Sequence, residues 1–142
     1  LAMRRGILLR QRGPHYYRLA VRCFRIAMNA YPGAPEPVLE IARTYARNGR
    51  PQRARRWYRF LLRQIPDDIE AYLEGSETFP RQDHFHRARW LAKALARRPE
   101  DAIIRARFDQ HFARLAGWQH WWIEQVLWQT YHSSPLETVT RS

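Results

Sequence analysis

The side chains with the clearest capacity for chemistry sit in "QDHFHRAR", where Asp83, His84 and His86 fall within one short stretch. Imidazole and carboxylate are good zinc ligands, but a structural zinc site takes four protein ligands and a catalytic one about three. A single short cluster of this kind is a weak signal for a metal. Asp83 acting as a helix cap, with two surface imidazoles beside it, accounts for the same residues. No metal and no cofactor are assigned. Catalysis has still less behind it: there is no nucleophile motif, no glycine-rich phosphate loop and no acid–base constellation. Ser133 and Ser134 have no partner that the sequence identifies. No catalytic residue is assigned, and the chain reads as a non-enzyme.

Arginine dominates instead. Lys and Arg number 25 against 13 Asp and Glu, a formal net charge of +12, and Lys93 is the only lysine. A coding bias towards arginine explains this without function. The planar guanidinium fork, which suits carboxylate and phosphate, explains it with one. Hydrophobic residues make up 45% of the chain and aromatics 13%, which calls for a folded core rather than disorder. At 142 residues, a single domain spanning 1–142 is expected. Cys23 is the only cysteine, so no internal disulfide and no paired-cysteine metal motif can form. That fits a reducing compartment such as the cytoplasm. Leu1 is an unusual initiator, so a leader is expected to be missing from the numbered chain, and the compartment stays unassigned. No run approaches the roughly 18–20 apolar residues of a membrane span.

The elements that position these residues follow from an internal period. Tyr45, Gly49, Ala54, Tyr58 and Pro66 in "YARNGRPQRARRWYRFLLRQIPDD" set a register. Thirty-four residues back, Ala20, Phe24 and Pro32 stand opposite Ala54, Tyr58 and Pro66; thirty-four forward, Ala88 and Ala92 stand opposite Ala54 and Tyr58. Each period reads as two helices. Val38, Ile41, Ala42 and Tyr45 recur at helical spacing, Asn48–Gly49 stops that helix, and Pro51 starts the next. Ala54, Trp57, Tyr58, Leu61 and Leu62 form its inner stripe. Ala42 and Ala54 are small because two antiparallel helices joined by a short turn cross closely.

This pattern resembles the tetratricopeptide repeat family, whose unit is a 34-residue helix–turn–helix. The resemblance implies an all-α helix–turn–helix repeat solenoid, a right-handed superhelix. Units are expected at about 1–34, 35–68 and 69–100, followed by a divergent capping helix pair at about 101–132 and a loose tail at 133–142. The first unit departs from the pattern at Gly6, and the third at Gly75–Ser76 and Pro80.

The resemblance also implies a concave groove lined by the first helix of each pair. Its outward positions are expected to be Arg5, Leu9 and Arg12, then Leu39, Arg43 and Arg47, then Leu73, Glu77 and Arg81. Mixed apolar and basic, it suits an acidic or amphipathic segment of a protein partner. Glu40, Glu70 and Glu74 stand where a clamp for a terminal carboxylate would need amides or cations, so that specialised role is not expected. A second surface is aromatic: Trp118, Trp121, Trp122 and Trp128 along one side of the last helix, with Ile123, Val126, Leu127 and Tyr131 on the other. It carries no Lys or Arg, so protein contact, homo-oligomerisation included, is favoured over lipid. The expected function is a scaffold or adaptor within a larger assembly. The rival reading is a polyanion- or RNA-binding module, its patch formed by Arg22, Arg25, Arg53, Arg56, Arg59 and Arg63 on the convex face.

Overall fold

The computed structural model describes the backbone of residues 1–132 and the side chains of residues 1–128. The tail at 133–142, with Ser133 and Ser134, and the side chain of Tyr131 lie outside the described residues. Within them the protein is all-helical: α1 (Ala2–Gln11), a short 3-10 turn (Pro14–Tyr16), α2 (Tyr17–Ala30), α3 (Pro35–Arg47), α4 (Pro51–Gln64), α5 (Ile69–Ser76), α6 (His84–Arg97), α7 (Ala102–Phe112) and α8 (Gly117–His132).

Local chemistry sets the helix ends. Pro35 and Pro51 open α3 and α4, where a missing N–H costs nothing. Gly49 takes a φ of 71°, a conformation that costs glycine little and lets the chain reverse between the two. Asp68 accepts from the backbone N–H of Ala71, Asp83 from that of His86, and Asp101 from those of Ile103 and Ile104. Each aspartate satisfies donors that a helix start leaves open.

The chain divides inside α5 into two compact units, Leu1–Ala71 and Tyr72–Ser142. In the first, α1 packs on α2, α2 on α3 and α3 on α4, a succession of antiparallel neighbours joined by short turns. Its core gathers Ala20, Val21, Phe24 and Ile41, with Met3, Ile7, Leu9, Tyr45 and Trp57 packed around them. Ala42 and Ala54 are fully buried, consistent with the close crossing inferred from their size. Gly6 has a reason too. A Cβ placed there would lie 2.5–2.8 Å from the ring of Phe24, which is itself fully buried.

In the second unit α6 packs on both α7 and α8. Ala88, Leu91, Ala92 and Leu95 of α6 are buried, as are Ile104 and Phe108 of α7, Leu115 and Ile123. Gly75 repeats the device of Gly6: a Cβ would run into the indole of Trp90. The long turn after α5 is pinned rather than loose. Arg87 donates to the carbonyls of Phe79 (2.6 and 3.1 Å) and Pro80 (3.1 Å). Phe79 is buried between His86, stacked at 5.0 Å, and Trp90 at 5.6 Å.

Gly6→Ala sets two effects against each other. Helix propensity favours alanine by about 0.8–1 kcal/mol, whereas overpacking a filled site costs about 1–3 kcal/mol. Phe24 has no exposed side to retreat to, so the clash wins. Chemical denaturation of Gly6→Ala is expected to show a net loss of about 1–2 kcal/mol. Gly6→Ala combined with Phe24→Leu should lose less than the sum of the two single changes. Simple additivity would disprove the contact.

Candidate interaction surfaces

The groove positions of the first unit are not a row of free arginines. Glu40 on α3 receives Arg10 of α1 on one carboxylate oxygen and Arg43, at 2.9 Å, on the other. Arg43 reaches on to Glu70 at the start of α5, at 3.1 Å. This chain of charges ties α1, α3 and the first residues of α5 across one face. The side chains of Arg10 and Glu40 are each only 14% exposed, so solvent screens that pair little. Leu39, expected on the outward face, is buried: α3 has α2 on one side and α4 on the other, which leaves it a narrow free surface. Arg5, Arg12 and Arg47 are exposed, and Leu9 is half-buried against the core. Arg47 also lines a cleft of about 350 Å³ with Arg10, Gly13, Pro14 and Asn48.

On α2 and α4 of the same unit, Arg22, Arg25, Arg53, Arg56, Arg59 and Arg63 are all exposed. Two of them lie over aromatic rings: Arg25 5.3 Å from the ring centre of Trp57, and Arg53 6.0 Å from that of Tyr45. The Arg25–Trp57 contact bridges α2 and α4.

In the second unit, α8 turns Ile123 inward, where it is completely buried, and its tryptophans outward. Trp118 is 68% exposed, Trp121 57%, Trp122 48% and Trp128 55%. Trp128 and Leu127 also line an open, mainly apolar cleft of about 380 Å³ with Leu95, Ala96 and Pro99, where Arg105 and Glu124 add charge. Of the third-unit groove positions, Leu73 is half-buried and Arg81 exposed, while Glu77 is bonded to Arg107 at 2.8 Å.

The two histidines of the "HFH" stretch part company. The Nδ1 of His86 is bonded to both carboxylate oxygens of Asp83 (2.8 and 2.9 Å). His84 faces the other way and meets His111 of α7, Nδ1 to Nδ1, at 3.0 Å. Periodicity gives no hint of that pair, because 27 residues separate its members. Burial holds the His111 imidazole below its ordinary pKa, and the nearby positive charge of Arg87, with His84 and Arg107, adds to the effect. Among the described residues, no group of three or more His, Cys, Asp or Glu is placed to hold a metal ion.

The tetratricopeptide repeat family model matches residues 35–77, the stretch holding α3, α4 and α5. Residues 35–77 are a tetratricopeptide repeat. No curated protein shows significant similarity to the chain. On the first unit, α1, α3 and the start of α5 carry the ion-paired chain from Arg10 to Glu70, and α2 and α4 carry the exposed arginines. Repeats of this family typically serve as scaffolds for protein–protein interaction.

Two measurements probe this electrostatic layout. Glu40→Gln leaves two arginines without their shared carboxylate, one of them largely shielded. It is expected to lose about 1–3 kcal/mol in chemical denaturation, between the exposed and fully buried limits. Glu70→Gln, whose side chain is 66% exposed, should lose less than about 0.5 kcal/mol. Equal losses would disprove the shared role of Glu40.

The second measurement concerns His111. Its folded pKa lies below the unfolded value of about 6.5, so the unfolded chain binds that proton more readily. The stability it contributes is complete above about pH 6.5 and declines as pH falls towards the folded pKa. Between about pH 7.5 and 5.5, the melting temperature should therefore drop more in the parent protein than in His111→Asn. Identical drops would exclude His111 as a source.

Proposed function

We propose that the protein is a non-catalytic scaffold that docks a protein partner on the tryptophan face of α8. The observation that carries this reading is the outward exposure of Trp118, Trp121, Trp122 and Trp128 on one helix. A helix that merely caps a repeat stack presents a polar outer face, and this one presents indoles. Contiguous exposed apolar surface marks contact sites, and tryptophan is the residue most enriched where contact energy concentrates. The adjoining cleft, lined by Leu95, Ala96, Pro99 and Leu127, offers a pocket for an apolar anchor, with Arg105 and Glu124 available to polar groups around it. An amphipathic segment fits these features best. On the first unit, Arg5, Arg12 and Arg47 are the groove cations left for an acidic stretch, since Arg43 is already held by Glu40 and Glu70.

A second reading rests on a separate observation. Arg25 over Trp57 joins the exposed arginines of α2 to those of α4, and a cationic face with stacking rings suits single-stranded nucleic acid. The ion-paired groove does not contribute to it.

The double variant Trp121→Ser/Trp128→Ser discriminates between these readings. It should abolish recovery of protein partners in crosslinking pull-downs. Folding stability should stay within about 0.5 kcal/mol of the parent, as for other exposed substitutions. Unchanged recovery of the same partners would defeat the reading, and global unfolding of the variant would make the indoles core. Loss of all partners on nuclease treatment of the parent would favour the arginine face instead.

A further inference from the structure

We propose that the cleft between the start of α6 and the end of α7 binds a phosphate-class oxyanion, either as the free ion or as a phosphoryl group on a larger molecule. The cleft holds about 500 Å³ and is lined by Arg81, His84, Arg87, Gln110, His111 and Arg114, with no carboxylate in its wall. It is separate from the tryptophan face and does not depend on it for its chemistry.

Three guanidinium groups around so small a volume repel one another, and an anion between them removes that cost. The two acidic side chains of the neighbouring turn do not serve: Glu77 is bonded to Arg107, and Asp83 to His86. Arg87 is fixed in place by the carbonyls of Phe79 and Pro80, so its charge is preorganised. Arg81 and Arg114 are exposed and make no ion pair among the described residues. Their forks can close on an oxyanion from two sides.

The imidazoles add a donor of defined kind. In a neutral Nδ1–Nδ1 contact, one ring donates its Nδ1–H and keeps a bare Nε2. The accepting ring must then carry its proton on Nε2. One Nε2–H is therefore always available, and adding one proton to the pair makes a second. Anion binding and proton uptake should consequently be coupled. The charged groups set about the pair are Arg81 in the turn, Arg87 on α6, and Arg107 and Arg114 from α7 and the turn after it. On α8, His120 is directed to the Phe112 carbonyl at 2.7 Å. A carboxylate brings one charge and two oxygens. A phosphate monoester brings nearly two charges and three oxygens, and matches this surplus of donors better.

The test titrates inorganic phosphate, phenyl phosphate, sulfate and acetate into the full chain while following its histidine resonances. Saturable shifts of His84 and His111 with phosphate, and none at His15, are expected. Arg81→Gln/Arg114→Gln should weaken binding about tenfold or more, the loss expected for two charge-assisted hydrogen bonds. Arg4→Gln/Arg98→Gln removes the same charge at two exposed positions outside the cleft and should leave these shifts unchanged. Calorimetry with sulfate, which does not itself titrate near neutral pH, in two buffers of different ionisation enthalpy should show proton uptake. Binding of phenyl phosphate as tight as phosphate supports a carried phosphoryl group, and phosphate alone supports the free ion. The proposal is overturned by absence of saturable shifts, by equal weakening in both arginine variants, or by acetate binding as well as phosphate.

Discussion

The ring of Phe24 can lie inside the first unit only because α1 has no side chain at Gly6. That close approach seats Phe24 among Ala20, Val21 and Ile41, and so holds α1 and α3 to the same helix, α2. The second unit uses the same geometry, with the indole of Trp90 over Gly75. Helices packed side by side must approach closely, and an aromatic ring between them must find a place where one partner is thin. Pocket and groove positions follow from this, since the spacing of the helices decides which side chains emerge on each face. In the second unit, Trp90 and Phe79 fix the turn after α5, and that turn carries Arg81.

Charge is arranged as a consequence of that spacing. Once α1, α3 and the first residues of α5 share a face, Glu40 stands within reach of Arg10 and Arg43, and Glu70 within reach of Arg43. A carboxylate bonded by two guanidinium groups stabilises most where water is partly excluded, as it is at Glu40. The same pairing removes Arg43 from the cations available to a partner. Acidic residues are half as numerous as basic ones, so each that is engaged internally leaves the remaining arginines more exposed in effect.

The helices and their ends were legible in the sequence because they follow from local rules. Pro51, Gly49 and the capping aspartates act within a few residues, and the alanine and aromatic positions repeat with the period. Gly6 and Gly75, which break the repeat pattern, are accounted for only by the rings that cross them. Contacts between helices were not legible. The Glu40 bridge spans 30 residues to Arg10, and the His84–His111 pair spans 27, with no periodic signal for either. His84 and His86 are close in sequence, yet on a helix positions two apart point to different sides, and their partners differ. Leu39 is an outward position by resemblance alone, but α2 and α4 pack on both flanks of α3 and bury it.

Arginine content by itself therefore says little about binding. Arg10, Arg43 and Arg107 complete ion pairs, and Arg87 fastens a turn through backbone carbonyls. Arg97 lies 4.8 Å from the ring centre of Tyr72 and covers it from solvent. Each of these would be kept for structure even with no ligand. A coding preference can supply arginines, but it does not explain a cleft walled by Arg81, Arg87 and Arg114 with no carboxylate among them. Basic residues outnumber acidic ones 25 to 13, so arginines without a carboxylate are expected, but here three of them share one small cleft. The informative quantity is thus the local crowding of like charge. By that measure, the α6–α7 cleft is a stronger case for anion recognition than the more numerous arginines of α2 and α4. Those lie on an open face, where water and salt neutralise charge at little cost.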